Sequence, residues 1–257
     1  MEEFVVETWG QFERWLIHTK REPFNIGFTL LQPLIFLIFL GGMFSGIWAN
    51  DEKGMNYRTF ILPGIVTLTV FTNAMFAGVA ILFDRETGLL TRLLAAPIRR
   101  GSIIVARFLY SSLVSAVQVL LMVGLAALLG ARLATGFEGL LGLLGLGLLL
   151  GFGVTVVSLV LAFKLKGHGD FFAILGTITL PLTFLSSVFM AQALMPQWMQ
   201  DVAQYNPVNW AVQAGRAALA ANGDWSIVFS RMGYLAIFTV VCTWLATRAF
   251  RVYQRSI

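Results

Sequence analysis

GLLGLLGLGLLLGFGVTVVSLVLAF, residues 139–163, runs for 25 residues without a charge. That exceeds the roughly 20 helical residues needed to cross the hydrocarbon core of a bilayer. Within it Gly147 and Gly151 stand four apart, as do Gly42 and Gly46 in an earlier apolar run. This spacing places each pair on one helix face, where a neighbouring backbone can approach closely. Outward from this stretch, residues 23–50, 59–83, 108–131, 171–200 and 232–247 are likewise free of charge. The last is short, and reaches spanning length if it starts near Ile227 with Arg231 snorkelling outward. With 58% hydrophobic and 12% charged residues over 257 positions and a mean hydropathy of +0.79, an ordinary soluble surface is excluded.

The expectation is an all-α membrane protein with six transmembrane helices, read as a single transmembrane domain over residues 1–257. Six crossings put both termini on one side. Taking that side as cytoplasmic leaves thirteen Lys and Arg residues inside against five outside, which satisfies the positive-inside bias. The net charge of +5 then reports topology and contact with anionic membrane lipid, with no need for a nucleic-acid partner. Residues 1–22 carry mixed charge, unlike a cleavable signal. Val5, Trp9, Phe12 and Leu16 fall on one stripe, so this segment reads as an amphipathic helix lying in the interface plane. Cys242 is the sole cysteine, which leaves no disulfide within one chain and no cysteine-based metal site.

Between the second and third runs lies DRETGLLTRLLAAPIRRG, residues 84–101. Leu89, Leu90, Leu93 and Leu94 repeat at helical spacing, Arg92 lies among them, and Pro97 ends the turn ahead of Arg99 and Arg100. This describes a short amphipathic helix at the membrane surface, suited to docking. The plain alternative is a cytoplasmic loop held by its arginines. In the fifth run residues 171–190 can span, while residues 191–222 are proline-punctuated, nearly uncharged and carry Trp198, Tyr205 and Trp210. They read as short re-entrant or interfacial helices on the outer face, between spans five and six.

Two polar faces interrupt the apolar spans. Thr69, Thr72, Asn73 and Phe76 share one side of the second, and Thr179, Thr183, Ser186 and Ser187 share one side of the fifth. They read equally as the lining of a path and as hydroxyls that satisfy their own helices or a neighbour.

Several chemistries have no residues to carry them. No glycine-rich loop ends in Lys and Ser/Thr, and the extramembrane segments are too short for a nucleotide-binding domain, so any ATP and Mg belong to another chain. His18 and His168 lie outside any cluster with ligand spacing, and no metal or catalytic site is expected. No Asp or Glu falls near the middle of a span, which argues against a proton-coupled carrier. An ATP-independent channel or secondary carrier is the alternative reading.

Taken together, the six runs, the N-terminal interface helix, DRETGLLTRLLAAPIRRGSIIVARF and FLSSVFMAQALMPQWMQDVAQYNPVNWAVQAGRAAL resemble the permeases of type-2 ABC exporters. The similarity is to the drug-exporter branch of the daunorubicin-resistance kind. The resemblance covers nearly the whole chain, with Glu86, Thr87, Gly88, Leu93, Pro97, Asn206, Pro207 and Arg216 at its motif positions. It departs at Leu90 and Thr91, where many relatives carry other residues. It implies a bacterial inner-membrane subunit that pairs with a second copy or paralogue and docks on a cytoplasmic ABC ATPase. Docking would involve Asp84, Arg85, Glu86, Thr87, Gly88, Leu89, Arg92, Leu93, Pro97, Arg99 and Arg100. The polar faces of spans two and five would line the path for a hydrophobic or amphipathic compound. Asn206, Pro207 and Arg216 would shape an outer gate.

Overall fold

The computed structural model describes residues 2–21, 23–44, 57–89, 100–131, 134–165, 167–220 and 223–254. Ten α-helices are present among these residues: α1 (Glu2–Arg21), α2 (Pro23–Met43), α3 (Tyr57–Phe76), α4 (Val79–Glu86), α5 (Arg100–Leu128), α6 (Gly136–Lys164), α7 (His168–Phe184), α8 (Gln197–Ala203), α9 (Pro207–Leu219) and α10 (Trp225–Gln254). A single 3₁₀ turn covers Gln192–Leu194. Among the described residues there is no strand.

Four segments are long and apolar enough to cross a membrane: Tyr57–Glu86, which joins α3 to α4, then Val105–Leu128, Gly136–Lys164 and Trp225–Arg248. The first and fifth apolar runs of the sequence form shorter helices than their lengths suggest. In the first, α2 stops at Met43. In the fifth, expected to continue to residue 190, α7 ends at Phe184 after only 17 residues. The physical reason is that an uncharged stretch need not be helical. The polypeptide beyond Phe184 turns, and its backbone groups are satisfied by side chains of α9 instead of by a further helical turn.

α6 is the hub, packing against α3, α5, α9 and α10. Its glycines make this possible: a Cβ added at Gly147 would meet Val119 Cγ2 at 3.3 Å, and one at Gly151 would meet Val70 Cγ1 at 3.2 Å. Two apolar cores flank the hub. One gathers Phe71, Leu82, Leu150, Val154, Phe171 and Leu175, the other Leu37, Ile61, Leu62, Val66, Met122 and Leu143. Hydroxyls add hydrogen bonds between helices, Ser111 with Thr155 at 3.1 Å and Thr239 donating to the Leu149 carbonyl at 3.0 Å, as expected where little else polar is available.

α1 packs along α5. Its inward side carries Thr8 and Trp15, both buried, while Val5, Val6, Trp9 and Ile17 stand exposed. The stripe read from the sequence therefore divides: Val5 and Trp9 face outward, and Phe12 and Leu16 are half-buried. An exposed apolar side on a helix of mixed charge suits a membrane surface.

Candidate functional site

At one end of the bundle, α4 is held by three consecutive charged residues that each bind a different helix. Asp84 Oδ2 accepts from Arg14 Nη2 of α1 at 3.1 Å. Arg85 Nη1 donates to the Leu165 carbonyl at 3.0 Å and to the Ala162 carbonyl at 3.5 Å, at the C-terminal end of α6, where a cation complements free carbonyls. Glu86 Oε1 lies 2.6 Å from His168 Nδ1, at the start of α7. The helix then stops. Thr87 caps it with its hydroxyl on the Phe83 carbonyl at 2.9 Å, and Gly88 takes φ +72°, a conformation costly for any residue with a Cβ. Leu89 follows, exposed at the surface. Arg92, Leu93, Pro97 and Arg99 lie outside the described residues, and Arg100 opens α5.

Between α3 and α4 the helix is broken at Ala77–Gly78, and the freed backbone groups are met by other helices. The Gly78 amide donates to Ser158 Oγ of α6 at 2.9 Å, and the Ser158 hydroxyl donates to the Met75 carbonyl. Arg107 Nη2 of α5 donates to the Ala77 carbonyl at 2.9 Å. Arg107 is itself buried, its guanidinium carbon 4.2 Å from the centre of the Trp15 ring, on which Arg14 also stacks at 4.6 Å. The break and α1 are thus joined through one arginine.

The two polar faces behave differently. On α3, Thr69 is buried and donates to its own Ile65 carbonyl at 2.8 Å, whereas Thr72 and Asn73 are half-buried and Phe76 is exposed against Phe172. On α7, the hydroxyls of Thr179 and Thr183 are buried without a hydrogen-bond partner among the described residues. Ser186 and Ser187 lie past the end of that helix. Ser186 donates to the Thr183 carbonyl at 2.6 Å, and Ser187 donates to Asn209 Oδ1 from its hydroxyl at 2.6 Å and from its amide at 3.0 Å.

At the opposite end, Asn206, Pro207 and Arg216 belong to a knot around residues 185–190. Asn206 caps α9 through Oδ1, which accepts from the Val208 amide at 2.9 Å, with Pro207 in the first helical position. Its amide nitrogen donates to the Leu182 carbonyl at 2.7 Å and the Leu185 carbonyl at 2.9 Å. Arg216 donates to the carbonyls of Phe60 at 3.2 Å, Met190 at 3.4 Å and Val188 at 3.4 Å, and to that of Ser187. Burial lowers the Arg216 pKa to about 9, Tyr57 acting in the opposite direction, so the side chain remains a cation at neutral pH.

Sequence reasoning missed Arg107, Ser158, Arg14 and Asn209 as site residues. Arg107 was legible as a charge at the edge of an apolar run and Asn209 as part of NPVN. Nothing in their local patterns indicated the partners, which lie 30 and 22 residues away in the chain.

Residues 6–220 match the family model described as the ABC-2 type transporter. The chain is 33% identical over 230 residues to a protein of Porphyra purpurea named as the transport permease ycf38, covering 89% of this chain and 78% of the relative. It is 26% identical over 215 residues to the daunorubicin resistance ABC transporter permease protein DrrB1 of Streptomyces coeruleorubidus, covering 83% and 75%. Over 228 residues it is 27% identical to the inner membrane transport permease YadH of Escherichia coli K12, covering 82% and 83%.

Proposed function

From the premise that this chain belongs to the ABC-2 type transporter family, as a membrane permease subunit whose ATP is hydrolysed by a separate ABC ATPase, we propose that it exports a hydrophobic or amphipathic compound. The compound belongs to the broad class of drugs, lipids and glycolipids. It works as a six-span subunit in a bacterial plasma membrane with both termini cytoplasmic, paired with a second permease copy or paralogue. ATP and Mg are bound by the partner.

The observation that carries the reading is the gathering of α1, the C-terminal end of α4, the end of α6 and the start of α7 around Asp84, Arg85 and Glu86. A push on residues 84–101 by a closing ATPase reaches four helices at once through these bonds. Segment 84–101 is the coupling element, with Thr87, Gly88, Leu89, Arg92, Leu93, Pro97, Arg99 and Arg100 nearest the ATPase. Thr69, Thr72, Asn73 and Phe76, opposite Thr179, Thr183, Ser186 and Ser187, line the substrate path. The exposed side of α7, from Phe172 to Phe184, faces the second copy and lipid. The hydroxyls of Thr179 and Thr183, which find no hydrogen-bond partner among the described residues, support their place on the path. Asn206, Pro207 and Arg216 hold the outer gate in shape.

The test is purification in mild detergent with stoichiometric mass spectrometry, followed by reconstitution of chain and co-purified ATPase in liposomes. One ATPase per permease, with ATP-dependent movement of a fluorescent lipophilic drug, is the expected result. Solute flux from the chain alone, without ATP, overturns it.

A further inference from the structure

The second span is not one helix, and the way its break is built goes beyond the export reading while resting on it. In a continuous α-helix the Gly78 amide would donate to Ala74, the Met75 carbonyl would accept from Val79 and the Ala77 carbonyl would accept from Ile81. Here the Gly78 amide is on Ser158, the Met75 carbonyl takes the Ser158 hydroxyl and the Ala77 carbonyl takes Arg107, while the Ile81 amide turns to the Gly78 carbonyl at 3.0 Å. Unmet backbone groups inside a membrane are costly, so a broken helix persists there only where neighbours supply partners. All three partners come from α5 and α6. The site is also tight: a Cβ at Gly78 would stand 2.5 Å from the Ser158 carbonyl oxygen.

Below the break, α4 is eight residues long, and its far end is bound by Arg14, Leu165 and His168 as described. A short rigid arm with a soft joint at one end and grips at the other can rotate between discrete positions. We propose that Ala77–Gly78 is a hinge in the second span, and that Arg107 and Ser158 are positioning residues that hold the α4 arm in one orientation. Arg107 also stacks on Trp15 of α1. Displacement of α1 therefore loosens the same joint that α4 turns on, and the arm and the interface helix move as one unit. Neither residue touches the transported compound.

The test is double electron–electron resonance on the full chain, alone in lipid nanodiscs, in a Cys242→Ser background. Nitroxides are placed at Leu89→Cys, beyond the arm, and Leu120→Cys, on the exposed side of α5. The parent gives one narrow distance distribution. Ser158→Ala and Arg107→Met are expected to add a second population or widen the distribution at least twofold. Ser158→Thr and Arg107→Lys, which keep a donor, restore the narrow form. A control pair at Leu120→Cys and Ile227→Cys, on α10, stays unchanged in every variant. A single narrow distribution in both donor-removing variants overturns the hinge, as does equal broadening of the control pair, which reports general loosening. No ATPase is present, so the outcome stands whether or not the chain proves to be an exporter.

Discussion

The Arg216 guanidinium carbon lies 3.8 Å from the centre of the Phe60 ring while its Nε donates to the carbonyl of the same residue. One side chain of α9 thus grips both the face and the backbone of α3, and its remaining donors hold the loop after α7.

Arg216→Ala strips donors from four carbonyls at once. Leaving buried acceptors unmet costs about 1–3 kcal/mol each, reduced where water enters, so a loss of about 3 kcal/mol or more is expected, seen as a clear fall in Tm in detergent. Arg216→Lys keeps the charge but not the forked geometry, and recovers less than half of that loss.

Asn209 is fully buried and accepts both bonds from Ser187 while donating to the Ala203 carbonyl at 2.9 Å. Asn209→Leu is close in size but leaves the Ser187 hydroxyl, the Ser187 amide and Ala203 unmatched. It is expected to destabilise by about 2–4 kcal/mol, and Asn209→Asp, which keeps the acceptor, by less. Thermal unfolding of the purified variants decides the order.

Thr183 carries a buried hydroxyl that bonds nothing among the described residues. Replacing such a group by a methyl of the same shape is neutral or stabilising for the fold. Thr183→Val is therefore expected to leave Tm unchanged or raised, while increasing the apparent KM for substrate-stimulated ATP hydrolysis in the reconstituted complex. An unchanged KM removes Thr183 from the path.

The Arg14–Asp84 pair is partly exposed, with 29% and 13% of the two side chains accessible. Such a pair contributes roughly 1 kcal/mol or less to stability, so Arg14→Gln and Asp84→Asn are expected to insert and fold as the parent does. Their effect falls on coupling: each lowers drug-stimulated ATPase activity several-fold, and the double variant is no worse than either single one. Additive losses in that double-mutant cycle contradict a joint role.

The membrane character was readable because six uncharged runs leave few other folds, and α1 was readable as an amphipathic helix from the mixed charge and aromatics of residues 2–21. Segment 84–101 was singled out by DRETG followed by leucines. What Asp84, Arg85 and Glu86 bind was not readable, since Arg14, Leu165 and His168 are 70, 80 and 82 residues distant and no periodicity links them. The end of α7 was misjudged for a related reason. Absence of charge suggests continuous helix over residues 171–190, yet the helix ends at Phe184, and Asn206, Asn209 and Arg216 supply the partners that its backbone groups would otherwise need from a further turn. Spacing placed Thr69 and the serines after Phe184 on polar faces, but the carbonyls and the Asn209 side chain that their hydroxyls bond could not be read from it.

The knot around residues 185–190 also has a consequence for biosynthesis. The ribosome delivers the loop before the helix that satisfies it, since Arg216 follows Ser187 by 29 positions. Until Pro207–Leu219 has emerged and folded back, the nascent chain holds a loop whose carbonyls are unmet by Arg216. This end of the bundle therefore completes its hydrogen bonds late in synthesis. A chain cut short before Arg216 leaves those carbonyls unmet, whereas one that has passed that point has still to add the Thr239 bond of α10 to Leu149.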